Sequence, residues 1–159
     1  MSDAAAVTSS LDRIAAGVLR IAGAALIGMV AVETWQVFAR YGLNDSPGWT
    51  EPLALLLLNL AMSFGAAAAV HARAHFSFPV AVQATPPRVQ RVLQAVAQLV
   101  VAAIGGVLAV GGAVVFVDGL DVPMAGAHLP QGMPFLPLGL GGALIVVFAL
   151  AGLHRENAR

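Results

Sequence analysis

The sequence contains no cysteine and no lysine, and only 10% of its 159 residues are charged. Without cysteine, disulfide frameworks and thiolate metal sites are excluded. Soluble domains carry about 25% charged residues, so this chain has too few to cover a soluble globule. It also lacks a Gly-rich phosphate loop, a nucleophile–His–acid set and a pair of carboxylates at a common depth. No enzyme chemistry, cofactor or nucleic-acid partner is therefore expected. Internal repeats and low-complexity linkers are missing as well.

Apolar residues are abundant: 59% of the chain is hydrophobic, with a mean hydropathy of +0.86. A bilayer core about 30 Å thick needs about 20 apolar residues per helix. Four blocks meet that length, at residues 14–39, 52–71, 92–117 and 135–153. The expected fold is an all-α membrane protein, a single domain of four transmembrane helices surrounded by membrane lipid. A cleaved signal peptide is the rival for the first block, since Arg13 and Arg20 precede an apolar run. The residues after that run, Glu33-Thr34-Trp35-Gln36, lack a small-residue cleavage pattern, so an uncleaved helix is expected. Residues Met1–Ser10 are small and polar and are expected to fray.

The breaks between blocks have their own signals. Gly42 is expected to end the first helix as its left-handed stop. Two caps are open for the second: Ser46 with Pro47 at the first helical position, or Thr50 with Pro52 in the first turn. Residues Phe76–Arg91 mix apolar and polar types and are expected to lie along the membrane surface, then turn at Pro86-Pro87 into the third helix. Gly105, Gly106, Gly111 and Gly112 in the third block, and Gly139, Gly141 and Gly142 in the fourth, suit close backbone approach.

Arginine is distributed unevenly. Arg13, Arg20, Arg73, Arg88, Arg91, Arg155 and Arg159 lie at the termini or in the second loop, and Arg40 alone lies in the first and third loops. By the positive-inside rule both termini should be cytoplasmic. The first and third loops then face outward with Asp45, Glu51, Asp118 and Asp121, and Trp35, Tyr41 and Trp49 mark the outer interface.

Within the spans, Glu33 shares a helix face with Gln36 and Arg40 and lies about 10 Å along the helix from Arg40. It suits an ion relay, a polar clamp bonded to a neighbouring helix, or a side chain that reaches the outer interface along a tilted span; the relay lacks a second acid in the remaining depth of the spans. His71 and His75 are four apart, a metal-like spacing. His71 and His154 share one membrane boundary, where a bis-histidine haem is the alternative to interfacial hydrogen bonding. Asn59 and Ser63 are expected to tie the second helix to a neighbour. No broken mid-membrane helix of the kind used by transporters is present.

The most structured stretch is Gln36–Glu51, which holds a charge pair, two amphipathic aromatics and a Pro-Gly break. Its order Arg40-Tyr41-x-x-Asn44-x-Ser46-x-x-Trp49-x-Glu51, with Gly65-Ala66-Ala67 and His75 beyond the second span, resembles the DctQ-like small membrane subunit of tripartite ATP-independent periplasmic (TRAP) transporters. Pro86-Pro87-Arg88 and Pro137-Leu138-Gly139 are also similar to that family. The resemblance covers nearly the whole chain. Pro52 stands where the family commonly has a second acid, His71 where it often has Arg, and Pro79 where it usually has Asp.

The resemblance implies a non-catalytic subunit in the bacterial inner membrane. It would hold a large permease subunit and help dock a periplasmic solute-binding protein, in ion-gradient-driven carboxylate uptake. Structural or partner-contact roles are expected for Glu33, Arg40, Tyr41, Asn44, Trp49, Glu51, Gly65, His75, Pro137 and Gly139. An Arg40–Glu51 ion pair is expected to fix the first loop, and Asp45, Asp118 and Asp121 to form an acidic docking patch. The alternatives are a haem-binding membrane anchor of a redox enzyme and a free-standing homo-oligomeric small transporter.

Overall fold

A computed structural model describes residues 2–45, 47–72, 87–127 and 129–157, the side chains of 2–9, 87–88 and 154–157 excepted. Four helices follow one another: α1 (Ser2–Gly42), α2 (Thr50–His71), α3 (Pro87–Asp118) and α4 (Leu136–Asn157), the last preceded by a 3-10 turn at Met133–Phe135. All four are long and apolar enough to cross a membrane. The helices outrun the apolar blocks that predict them. In place of the expected fraying, α1 reaches back to Ser2, where Ala4, Ala5 and Ala6 favour helix intrinsically. α3 begins at Pro87, where a fixed φ and a missing N–H suit a helix start. Residues 73–86, and with them the expected surface segment and His75, lie outside the described residues.

The helices form a row rather than a closed ring. α1 packs on α2, α2 on α4 and α4 on α3. The central α4 has 33% of its span buried, against 11% for the edge helix α3. α1 meets α2 along one narrow seam. Ala15, Val18, Ala22, Ala25 and Ala39 are buried, and Met29, Val32 and Gln36 between them are half-buried. Their alternating spacing of three and four is that of a left-handed helix pair, and alanine at half of the positions lets the helices approach closely. The core gathers where α1, α2 and α4 meet, from Ala15 and Val18 through Ala67 and Val70 to Ile145 and Phe148. At that end the His71 ring on α2 lies 4.9 Å from Phe148 on α4, and its Nε2 is 2.7 Å from Asp12 Oδ1 on α1.

α3 and α4 meet through glycine. A Cβ on Gly112 would lie 2.5 Å from the backbone N of Gly139, and one on Gly105 would lie 3.0 Å from the carbonyl of Gly142. Backbone against backbone leaves no room for side chains, so the contact depends on dispersion over a close approach. Both loops that join helices in this region fold tightly. α1 ends with the Leu43 and Asp45 N–H groups both donating to the Ala39 carbonyl, at 3.2 and 3.1 Å. The left-handed residue is Asn44, at φ 56°, not Gly42 as the sequence predicts. Asparagine is among the few side chains that tolerate that conformation.

Candidate docking surface at the loop end

The α1–α2 loop and the α3–α4 loop lie at the same end of the row and touch. Gly126, at φ +81°, requires glycine for its conformation, and it also abuts Gly48. A Cβ on Gly126 would lie 2.6 Å from the Gly48 carbonyl oxygen, and one on Gly48 2.9 Å from the Gly126 Cα. The two loops are therefore in backbone contact, a joint that their separation of 78 positions conceals in the sequence.

Each loop is braced internally. The Thr50 side chain is fully buried, and its hydroxyl donates to the Pro47 carbonyl at 2.8 Å. Thr50 is the first residue of α2, and Trp49 occupies the cap position without a side-chain cap bond. Thr50 thus does not act as the N-cap; its hydroxyl points back into the loop, because Pro52 in the first turn has no N–H to offer it. Ser46 lies outside the described residues. The α3–α4 loop closes as a short hairpin-like turn, in which the Gln131 N–H donates to the Val122 carbonyl at 2.8 Å and the Met124 N–H to the Leu129 carbonyl at 2.9 Å. Beneath it, the Asn59 amide donates to the Pro134 carbonyl at 3.0 Å and ties α2 to the start of α4. Ser63 is buried and packs directly on Gly141. Both residues thus join the second helix to a neighbour, as their spacing suggests.

The expected Arg40–Glu51 ion pair does not form. Both side chains are exposed, and no ion pair joins them among the described residues. Long exposed side chains gain little from such a pair, and Asn44, Thr50 and the Gly48–Gly126 contact supply the order instead. Asp45, Glu51, Asp118 and Asp121 are all exposed at this end. An open groove of about 390 Å³ runs between the start of α2 and the α3–α4 loop, with Glu51, Leu55, Met124 and Gln131 on its walls. Tyr41 is 82% exposed, and Trp35 and Trp49 are each 46% exposed, which gives this end an aromatic rim of the kind found at membrane interfaces.

The remaining predicted positions scatter. Glu33 is on an exposed flank of α1 and has no hydrogen-bond partner among the described residues. It clamps to no helix among the described residues, whereas Gln36 turns toward α2 and its Oε1 is buried without a partner there. Gly65 is half-buried, and a Cβ there would meet nothing within 4 Å. Pro137 is buried in the first turn of α4, and Gly139 faces Gly112. His71 is engaged by Asp12 and Phe148, the hydrogen bonding expected of it. Sequence reasoning missed Asp12 as its partner and Gly48 and Gly126 as the loop joint. The Pro47-Gly48 and Ala125-Gly126-Ala127 stretches signal turns but do not signal each other.

Comparison with known proteins bears directly on this surface. Residues 29–158 match the family described as "Tripartite ATP-independent periplasmic transporters, DctQ component". No curated protein matches the chain. The matched region begins in α1 and takes in both loops, the groove and the whole α3–α4 contact.

Proposed function

Because the chain belongs to the DctQ family of small TRAP transporter subunits, we propose that it serves as the non-catalytic small subunit of an ion-gradient-driven, binding-protein-dependent carboxylate uptake system. In this role it sits in the bacterial inner membrane with both termini cytoplasmic. It holds the large permease subunit in place, and its loop end helps dock the periplasmic solute-binding protein. The backbone contact between Gly48 and Gly126 carries the docking role. It makes two loops from opposite halves of the chain into one surface, and Asp45, Asp118 and Asp121 are exposed on that surface. Rigid-body docking benefits from a surface whose order is fixed before the encounter, and exposed charge speeds and steers that encounter. The arginine imbalance supports the orientation.

The test is to neutralise the three acids together, as Asp45→Asn, Asp118→Asn and Asp121→Asn. The large subunit should co-purify as before, while the association rate of the binding protein falls about tenfold at low salt and the difference closes at high salt. Unchanged association at low salt would overturn the docking role.

A further inference from the structure

α1 is an edge helix with one side on α2, and the side flanking that seam is bare. Leu26 (50% exposed), Val30 (56%) and Val37 (56%) lie there with exposed Glu33 and Arg40. Residues 26, 30, 33, 37 and 40 again alternate spacings of four and three, the stripe that a second helix packs against. Gly23, seven residues before Val30, extends it, and a Cβ there would meet nothing in this chain. Between Gly23 and Val37 the stripe is apolar except for the Glu33 carboxylate.

That carboxylate has no partner among the described residues. Glu33 lies seven residues, about 10 Å, inside the Arg40 end of the span. Arg40 is two turns away, beyond direct reach. The nearer interface is the one at the C-terminal end of α1, but Cα–Cβ bonds in a helix tilt toward the N-terminus. The Glu33 side chain therefore leans toward the middle of the membrane and away from the water it would need. A carboxylate that faces lipid is expensive to hold and marks a functional position by default. The Thr34 hydroxyl beside it donates to the Val30 carbonyl, and Gln36, three residues on, makes no hydrogen bond to it. By contrast, the exposed face of α3, the other edge of the row, carries no charge between Arg91 and Asp118. One edge is built for lipid, and the other presents an acid.

We infer that the Leu26–Glu33–Val37 stripe of α1 is the surface on which the large permease subunit seats a transmembrane helix, with a basic side chain of that helix paired to Glu33. Charge complementarity selects a protein partner over lipid, and the three-four spacing selects a helix. This inference rests on the subunit role proposed above.

The experiment uses the full chain co-expressed with the large permease subunit. A photo-crosslinking residue is placed in turn at Val30 and Val37, and at Val107 and Val110 on the bare face of α3. Adducts with the large subunit are expected from positions 30 and 37 and not from 107 and 110. Glu33→Leu should lower co-purification of the large subunit at least about tenfold, because it strands the partner's charge, and Glu33→Gln, which still accepts a hydrogen bond, should retain more. Large-subunit adducts from α3 alone, adducts of α1 with a second copy of this chain, or full co-purification with Glu33→Leu would each overturn the inference and leave the subunit role standing. Failure of the unaltered chain to co-purify with any large permease subunit would overturn both. The crosslinking arm keeps Glu33 in place, so it decides the question even if the Glu33 variants fold poorly.

Discussion

The two edge helices, α1 and α3, are the two least buried spans, and they pack by opposite constructions. α1 packs on α2 through a stripe of alanines and carries a buried glutamine in its seam. α3 packs on α4 through glycines set against glycines. The outer face of α1 carries Glu33, and that of α3 is valine, isoleucine and leucine throughout its exposed large residues. In a bilayer, apolar surface gains nothing by leaving lipid, so helix pairing depends on close fit and on polar groups that lipid cannot serve. The contrast shows which features identify a buried face inside a membrane. Small residues mark the faces that are already filled, and a polar residue on an otherwise apolar face marks one still to be filled.

The contrast can be broken most severely by giving α3 an acid of its own. Val107 is 73% exposed near the middle of that helix. Val107→Glu should cost about 3 kcal/mol of insertion, read as a loss of membrane-integrated chain in a glycosylation-mapping assay. If α3 instead faced protein, the acid would find partners and insertion would hold. The next effect is on the filled side. Gly112→Leu drives a side chain into the Gly139 backbone and should destabilise the α3–α4 pair by about 1–3 kcal/mol. Gly111→Leu, one position along where nothing lies within 4 Å, should leave stability unchanged. Unfolding of the purified protein by SDS titration would compare them; equal losses at the two positions would mean that α3 is rotated from the face described here.

These differences explain which parts of the structure could be read in the sequence. Four spans were legible because twenty-residue apolar runs have no competing fold at this composition. The glycines at 105, 112, 139, 141 and 142 pack closely as expected, and those at 106 and 111 meet nothing within 4 Å; Asn59 and Ser63 announced a tie to a neighbour, since such residues have few other uses in lipid. Their partners were not legible. With every face apolar, hydrophobic periodicity cannot say which side of a helix meets protein, so the order α1–α2–α4–α3 stayed hidden. Local geometry misled in two places. Gly42 is the usual stop residue, but the chain turns two residues later at Asn44, where the Ala39 carbonyl collects both N–H donors. Arg40 and Glu51 have opposite charge at adjoining helix ends, but water competes for both. Of the candidate docking surface, the acids and aromatics were visible in sequence, while the Gly48–Gly126 contact that unites its two loops depends on tertiary packing.

The smallest expected effect lies between the edges, at the one side-chain hydrogen bond among the described residues that ties α2 to the turn opening α4. Asn59 donates to the Pro134 carbonyl at 3.0 Å. Pro134 is buried in the 3-10 turn that starts α4, with Pro137 three residues on. Proline lacks an N–H, so this turn is short of backbone donors and an outside amide is useful to it. Asn59→Leu keeps the volume and removes the donor. Hydrogen bonds between membrane helices average only about 0.6 kcal/mol, because the separated helices find other partners in the membrane, so a loss of that order is expected in the same SDS titration. Asn59→Asp keeps the shape and sets a second acceptor against the carbonyl, which should cost more than the leucine. If aspartate and leucine cost the same, the Asn59 amide contributes packing alone, and α2 and α4 are held, like the edges, by close fit.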